Sequence, residues 1–310
     1  YTERRTDRTY SHHRPMATLN TSFSYRVNKF MSLRVGGDAI RTLGEMRNIV
    51  EVPIHTTYRN ISVLGSGLFQ ENDRLSANGS VSYRNPLRGS NYMMDAQDQY
   101  GRSNRTGGSN VSPTTTQSTW SNARSTSGMW LVNFRAAKNL LGHGTVLTAS
   151  ANLASIKSKS LRQGTAYHLA NHTLTLRGNV HSTLLDQHLI LDMDLIYALS
   201  AQKIDLAKGK NTRNEITPSV RLSVLPVRDW EIYARIFMGY VEREQGGYDG
   251  NFYLDAGLRY THKRFEAELA GKNLTNRRDY TIRRYASIDR FTYHYHLRPA
   301  EVVLTFHFKL

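Results

Sequence analysis

The chain has 310 residues, no cysteine and a formal net charge of +16, with a mean hydropathy of −0.53. The absence of cysteine excludes disulfides and thiolate metal sites, and no stretch reaches the roughly 18 apolar residues of a membrane helix. The basic residues are scattered, without a zinc-finger spacing, a basic helix or an RNA-binding signature, so nucleic acid is not expected as a partner.

Apolar residues recur with a period of two along most of the chain, which predicts β-strands with one apolar face. In chain order these apolar stripes lie at 19–25, 31–37, 75–83, 147–153, 174–180, 189–199, 216–224, 230–240, 252–260, 265–271 and 302–310. With weaker candidates at 88–97 and 128–138, the pattern predicts about thirteen strands.

The clearest stripe runs from Leu189 to Leu199. Its odd-numbered residues are all apolar or aromatic, whereas the even-numbered face carries Asp192 and Asp194. A segment of about ten residues with this alternation is typical of a tilted membrane-spanning strand. Half-buried strands of soluble proteins are usually shorter, at about five or six residues.

The predicted connections alternate between short and long. Short turns fall near residues 28, 86, 141, 185, 227 and 262, and the longer connections are 42–74, 98–127, 156–168, 201–212, 242–250 and 275–298. This alternation indicates an antiparallel up-and-down transmembrane β-barrel with turns in the periplasm and loops outside. The Ser/Thr/Asn-rich segment 98–127 is expected to be a disordered loop, and Pro218 is expected to sit at a β-bulge.

Four aromatic residues are predicted at the membrane interfaces: Trp230, Tyr240, Phe252 and Tyr260. Trp230 and Tyr240 lie on one face, about 33 Å apart along a strand. A tilt of about 40° reduces that separation to roughly 25 Å, the height of an apolar band with its aromatic girdles.

The C-terminal residues carry a family resemblance. Leu269-Ala270-Gly271-Lys272-Asn273-Leu274-Thr275-Asn276, Tyr280 and the stretch from Leu297-Arg298-Pro299 to Leu310 resemble the end of TonB-dependent outer-membrane transporters. Tyr83-Arg84-Asn85-Pro86-Leu87-Arg88 is similar to the members with an N-terminal carboxypeptidase-regulatory-like domain. The final strand would be the assembly signal, with Leu304, Phe306, Phe308 and Leu310 outward, although Leu310 replaces the usual terminal Phe and Ala300 the usual Arg.

The resemblance implies a larger barrel than the predicted strands can form. Barrels of this family have about 22 strands and an internal plug, so residues 1–310 are expected to be the C-terminal part of one barrel domain, without the plug and the N-terminal strands. The implied location is the bacterial outer membrane, and the implied activity is uptake of a glycan, a peptide or a metal chelate. The implied partners are outer-membrane lipid and lipopolysaccharide, the rest of the barrel and plug, the TonB complex and a surface lipoprotein lid.

Charged residues on the opposite face are predicted to line the lumen, since exposure to lipid costs a few kcal/mol each near the midplane. These candidates are Arg177, His181, Asp192, Asp194, Arg221, Glu231, Arg235, Asp255 and Arg259. No nucleophile or metal set accompanies Asp192 and Asp194, so catalysis is not expected. The two histidines of 293–296 are too few for a closed metal site, and no cofactor is expected.

Two other hypotheses fit part of the pattern. A soluble or secreted basic β-protein would use the +16 charge to bind anionic polymers, with a steep salt dependence. A complete outer-membrane pore of about 14 strands would require one strand before residue 17.

Overall fold

The computed structural model describes residues 2–5, 8–11, 16–44, 53–63, 69–140, 142, 144–205, 210–243, 247–286 and 289–308. These residues are almost entirely β-structure, and none of them forms a helix long and apolar enough to cross a membrane. In chain order the strands are β1 (Thr2–Arg5), β2 (Arg8–Ser11), β3 (Thr18–Arg26), β4 (Met31–Leu43), β5 (Pro53–His55), β6 (Asn60–Val63), β7 (Glu71–Asn85), β8 (Ser90–Ser103), β9 (Thr106–Val111), β10 (Thr116–Ser121), β11 (Ser125–Leu140), β12 (Thr145–Arg162), β13 (Thr165–Leu184), β14 (Leu189–Ile204), β15 (Lys210–Val227), β16 (Trp230–Glu242), β17 (Tyr248–His262), β18 (Phe265–Lys272), β19 (Asp279–Ala286), β20 (Asp289–His296) and β21 (Glu301–Phe308).

Strands β3 to β18 and β21 belong to one barrel sheet, whereas β1–β2 and β19–β20 are separate hairpins. Within the sheet, twelve antiparallel pairings join thirteen strands in a continuous up-and-down series, in the order β3, β4, β7, β8, β11 to β18 and β21. The predicted all-β antiparallel barrel and its number of main strands are therefore confirmed.

The register aligns the predicted apolar stripes. Leu153 lies opposite Leu174, which lies opposite Leu199, and Leu191 lies opposite Leu222. Because residues paired across strands point to the same side of a sheet, the stripes merge into one continuous apolar face. Many of its side chains are exposed, including Leu195 at 51% and Ile232 at 51%, so this face has no protein partner within the described residues.

The connections differ at the two ends of the strands. At one end, here called the turn end, all links are short, such as the Pro86–Arg88 turn with Asn85 as its cap. At the other, the loop end, long connections were expected at 156–168, 201–212 and 242–250, and this prediction is wrong. β12 and β13 run on to Gln163 and Gly164, which form a tight turn with positive φ. Strands of 18 and 20 residues are longer than the roughly ten residues with which a strand can cross a membrane.

Segment 98–127 is ordered, contrary to prediction. β9 and β10 form a hairpin that pairs with β12 on one side and with β6 on the other. Arg105, which directly precedes β9, is 4% exposed. Its guanidinium lies 4.0 Å from the Trp120 ring centre and 2.6 Å from Gln70 Oε1. Burial lowers the pKa of Arg105, yet arginine remains charged at neutral pH. The β9–β10 hairpin therefore extends the barrel sheet at its loop end.

Pro218 does not form the expected bulge. It lies in register with Leu195 of β14, and the pairing of β15 with β16 keeps one register on both sides of it. The irregularity falls instead between Val224 and Val227, a stretch that contains Pro226. Proline lacks an N–H donor, and a bulge beside the turn end accommodates that loss without interrupting the ladder.

Candidate functional site

The charged residues predicted to line the lumen share one face. Asp192 lies opposite Arg221, Arg221 opposite Arg235, and Arg235 opposite Asp255. This row crosses four strands on the side opposite the apolar stripes. We call this side the inner wall.

On β13 and β14 the candidates form two separate pairs. Arg177 Nη2 lies 3.1 Å from Asp194 Oδ1, and His181 Nδ1 lies 2.6 Å from Asp192 Oδ1. Both pairs are largely exposed, so each contributes little to stability by itself. Asp192 and Asp194 therefore have basic partners of their own, as expected for a wall of ion pairs.

A larger network spans β15 to β18, and we call it the inner-wall cluster. It consists of Arg221, Glu231, Tyr233, Arg259, Glu266 and Glu268. Glu231 accepts from Arg221 at 2.8 Å and from Arg259 at 3.3 Å. Arg259 also lies 3.5 Å from Glu266 and 3.4 Å from Glu268. Arg259 is thus the shared cation of three carboxylates, and this network is more enclosed than the pairs on β13 and β14.

Tyr233 lies at the centre of the cluster, and sequence reasoning did not identify it. Its hydroxyl lies 2.5 Å from Glu268 Oε1, and the guanidinium carbons of Arg221 and Arg259 lie 4.8 and 5.9 Å from its ring centre. Both distances are within the range of cation–π attraction. The sequence does place Tyr233 on the charged face of its strand, since it has the same strand parity as Glu231 and Arg235.

Gly257 provides the space for the Tyr233 ring. It lies directly opposite Tyr233 on β17, and a Cβ at Gly257 would lie 2.7 Å from the ring and the hydroxyl. The ring covers the glycine backbone, an arrangement that stabilises glycine positions in sheets. Only a residue without a side chain leaves the ring in reach of Glu268.

We predict that Gly257→Ala destabilises the barrel by about 1–2 kcal/mol, because the new methyl group displaces the Tyr233 ring from Glu268 and from the arginines. The matched control is Gly178→Ala, since a Cβ at Gly178 meets no atom within 4 Å. Urea unfolding in lipid vesicles measures the unfolding free energy of each variant. Equal unfolding free energies for the two variants would contradict the assigned role of Gly257.

Of the two remaining candidates, Asp255 connects the inner wall to the C-terminal motif. Asp255 Oδ1 accepts from the backbone N–H of Asn273 at 2.7 Å. The Asn273 side chain donates to the carbonyls of Arg277 at 2.7 Å and Arg298 at 2.8 Å, and its φ of 49° suits asparagine. The motif therefore forms a turn after β18, and the Asn273 side chain ties that turn to Arg298, which lies shortly before β21. Arg235 has no ion-pair partner within the part of the chain that the structure describes.

Aromatic side chains concentrate near both ends of the apolar face. At the turn end, the rings of Trp230 and Tyr260 lie 4.9 Å apart, and Phe265 lies 5.9 and 5.3 Å from Phe306 and Phe308. Tyr240 and Phe252 lie toward the loop end of their strands. The membrane-interface role of these residues stays a prediction, as does the assembly role of the last strand. Leu310 lies outside the described residues.

The inner wall presents polar and charged side chains. Among the described residues, no group of three or more His, Asp or Glu side chains is placed to hold a metal ion. The cluster contains no nucleophile beside a free base, since each of its carboxylates is bound to an arginine or to Tyr233. Such a surface can bind another polar surface or conduct a hydrated solute.

Known proteins resemble the chain in fold. No family profile and no curated protein matches the sequence. Among solved structures, the chain is similar to BauA, the ferric preacinetobactin receptor of Acinetobacter baumannii, with a TM-score of 0.45, 11% identity, and coverage of 82% of this chain and 46% of the receptor. Fiu, the ferric-catecholate import receptor of E. coli K12, gives a TM-score of 0.43 at 9% identity, with coverage of 83% of this chain and 49% of the receptor. The P. putida toluene transporter TodX gives a TM-score of 0.30 at 12% identity, with coverage of 94% of this chain and 82% of the transporter. The chain spans about half the length of the two ferric-chelate receptors.

Proposed function

We propose that this chain forms part of the barrel wall of a TonB-dependent transporter in the bacterial outer membrane and takes part in the uptake of a solute. One observation carries the proposal: the register gathers the apolar stripes into one uninterrupted exposed face and the charges into the opposite face. A soluble protein would have to cover that face, whereas lipid covers it in a membrane. The C-terminal motif Gly271-Lys272-Asn273-Leu274-Thr275-Asn276 supports the same assignment.

The directions of the first and last strands support a larger barrel. β3 and β21 are the first and last strands of the thirteen-strand series and are neighbours in the closed sheet. Because twelve antiparallel pairings separate them, both run from the loop end to the turn end. A barrel in which every pairing is antiparallel requires an odd number of further strands between them. Nine further strands would complete a barrel of about 22, and a single strand would complete the alternative pore of about 14.

In the proposed transporter, the inner-wall cluster faces the plug. A plug that moves during transport needs a polar, hydrated contact surface, and the ion pairs of the wall provide one without burying charges in lipid. The plug, the TonB complex and a lipoprotein lid remain partners implied by the resemblance. The solute class, whether a metal chelate, a glycan or a peptide, belongs to the same proposal.

The test begins with the native protein isolated from cell envelopes. We expect it to fractionate with the outer membrane, to require detergent for solubility and to migrate faster on gels before heating than after. Mass measurement should give a polypeptide well above the 35.4 kDa of this chain. A monodisperse protein in buffer without detergent would overturn the membrane assignment, and a native mass of 35.4 kDa would favour the smaller pore.

Transport itself is tested by loss of uptake. Cells that lack the native protein should lose uptake of one labelled class among ferric chelates, oligosaccharides and peptides, and dissipating the proton gradient should abolish uptake in the parent cells. Unchanged uptake of all three classes would contradict the transport role while leaving the barrel assignment intact.

A further inference from the structure

A depression of about 490 Å³ lies at the turn end of the sheet, where the β3–β4 and β7–β8 turns meet. Its lining includes Arg26, Lys29, Ser32, Ser82 and Arg84. Ser32 lies opposite Arg26 on one neighbouring strand and opposite Ser82 on the other. These serines and arginines have the strand parity opposite to that of the apolar stripes, so the depression belongs to the inner wall.

The depression concentrates positive charge. Arg26, Lys29 and Arg84 are all exposed, and none of the three has an ion-pair partner among the residues that the structure describes. The lining contains no carboxylate. The three cations therefore lack a counter-ion, which an anionic ligand would supply.

The carboxylates of the surrounding inner wall are occupied elsewhere. The described parts of β3, β4, β7 and β8 carry two on this face, Asp38 and Asp95. Asp38 lies six residues beyond Ser32, about 20 Å along the strand, and pairs with Arg74 at 3.1 Å. Asp95 accepts a hydrogen bond from the Asn133 side chain at 2.6 Å.

The floor of the depression is polar and narrow enough for one small anion. The hydroxyl oxygens of Ser32 and Ser82 lie 2.7 Å apart, so one hydroxyl hydrogen is shared between them and the other remains available to a ligand. Arg26 and Ser82 flank Ser32, which places their backbones roughly 10 Å apart. Arg84 follows two residues after Ser82 on the same face. Arginine side chains are long enough for both guanidiniums to reach an anion above the serines.

Backbone hydrogen bonds hold the basic residues in place. Asn28 Oδ1 accepts from the N–H groups of Phe30 at 2.8 Å and Met31 at 3.0 Å, which fixes the turn that carries Lys29. The Arg84 N–H donates to the Phe30 carbonyl at 2.8 Å and joins the two hairpins. The Lys29 ammonium lies 4.9 Å from the centre of the Phe30 ring. The site is therefore assembled before any ligand arrives.

We propose that this depression binds a phosphate group, carried by a small solute or free in solution. Phosphate suits it because a dianion with several acceptor oxygens can take hydrogen bonds from two guanidiniums, an ammonium and a hydroxyl together. The position on the inner wall favours a dissolved phosphate over a phospholipid headgroup. The proposal goes beyond the proposed function, since it requires the barrel wall but no particular transported solute.

The test titrates the native protein, in a detergent with uncharged headgroups, by calorimetry. The probes are inorganic phosphate, glycerol phosphate, glycerol and phosphatidylglycerol. We expect both dissolved phosphates to bind and glycerol not to bind. Binding of glycerol phosphate should weaken as the pH falls through about 6, where a phosphate monoester gains its second proton while arginine stays charged.

The variants identify the binding groups. Arg26→Gln/Arg84→Gln should weaken phosphate binding about thirty-fold, because two charge-assisted contacts are lost. Lys29→Gln should weaken it about fivefold. The matched control, Arg228→Gln/Arg264→Gln, removes two arginines from other turn-end connections and should bind like the unmodified protein.

Three results would overturn the proposal. The first is equal binding by the two double variants, and the second is binding of phosphatidylglycerol without binding of glycerol phosphate, which would identify a headgroup site. Heat-modifiable migration first shows which variants form the barrel. If Arg26→Gln/Arg84→Gln does not, Lys29→Gln decides the question, and unchanged phosphate binding in that variant is the third contrary result.

Discussion

Replacing Leu195 with lysine should destabilise the barrel by about 2–4 kcal/mol and reduce its yield in the outer membrane, because the ammonium group would face hydrocarbon near the midplane. Leu195 lies midway along the apolar stripe of β14, is 51% exposed, and has Gly178 and Pro218 as its cross-strand neighbours. Neither neighbour offers a polar group to the lysine.

The matched control is Ile196→Lys, one residue further along the same strand. Ile196 points to the inner wall, opposite Thr217 and Arg177, where water solvates the new charge and Arg177 is already paired with Asp194. We expect a loss below about 1 kcal/mol there. Urea unfolding in vesicles and outer-membrane yield compare the two variants. Similar losses at both positions would mean that the two faces of β14 meet the same environment, against the membrane assignment.

The sequence was sufficient to predict the faces of the strands. The alternation from Leu189 to Leu199 has a single solution, because a shift of one residue would place Asp192 and Asp194 on the apolar face. The same reasoning held along the thirteen main strands, whose stripes all lie on one side in the structure. Patterning was reliable wherever the two faces differ strongly in polarity.

Patterning failed where both faces of a strand are polar. Beyond Leu153, β12 continues with Ser155, Lys157 and Lys159 on its outer face, and such a strand has the composition of a loop. The β9–β10 hairpin is similar, since its Thr, Ser, Gly and Asn residues lack an apolar stripe. Its order comes from pairing with β12 and β6, contacts between residues distant in sequence that local composition does not encode.

The candidate site was predictable as a surface but not as a network. Strand parity placed Glu231, Arg235 and Arg259 on one face, yet it did not show which charges meet. The role of Tyr233 depends on Gly257 lying opposite it on the next strand of the chain. Such a pair is recognised only when the register between β16 and β17 is known.

Arg259→Leu should cost about 2 kcal/mol of barrel stability, because it removes the cation shared by Glu231, Glu266 and Glu268. Breaking a fully buried ion pair costs about 3–5 kcal/mol, and the side chains here retain 19–30% exposure, so water reduces the penalty. Arg221 still neutralises Glu231 at 2.8 Å. Glu266 and Glu268 lose their only arginine contacts within the described residues.

A matched comparison separates this network from an ordinary surface pair. Arg177→Leu removes an arginine that contacts Asp194 alone and is 57% exposed, so its cost should stay below about 1 kcal/mol. Adding Glu268→Gln to Arg259→Leu should restore part of the lost stability, since it removes one of the carboxylates left without a partner. Urea unfolding of the single and double variants gives the coupling between the two residues. If Arg259→Leu cost no more than Arg177→Leu, or if Glu268→Gln restored nothing, the cluster would be a set of independent surface pairs, and the inner wall would owe its rigidity to the backbone ladder alone.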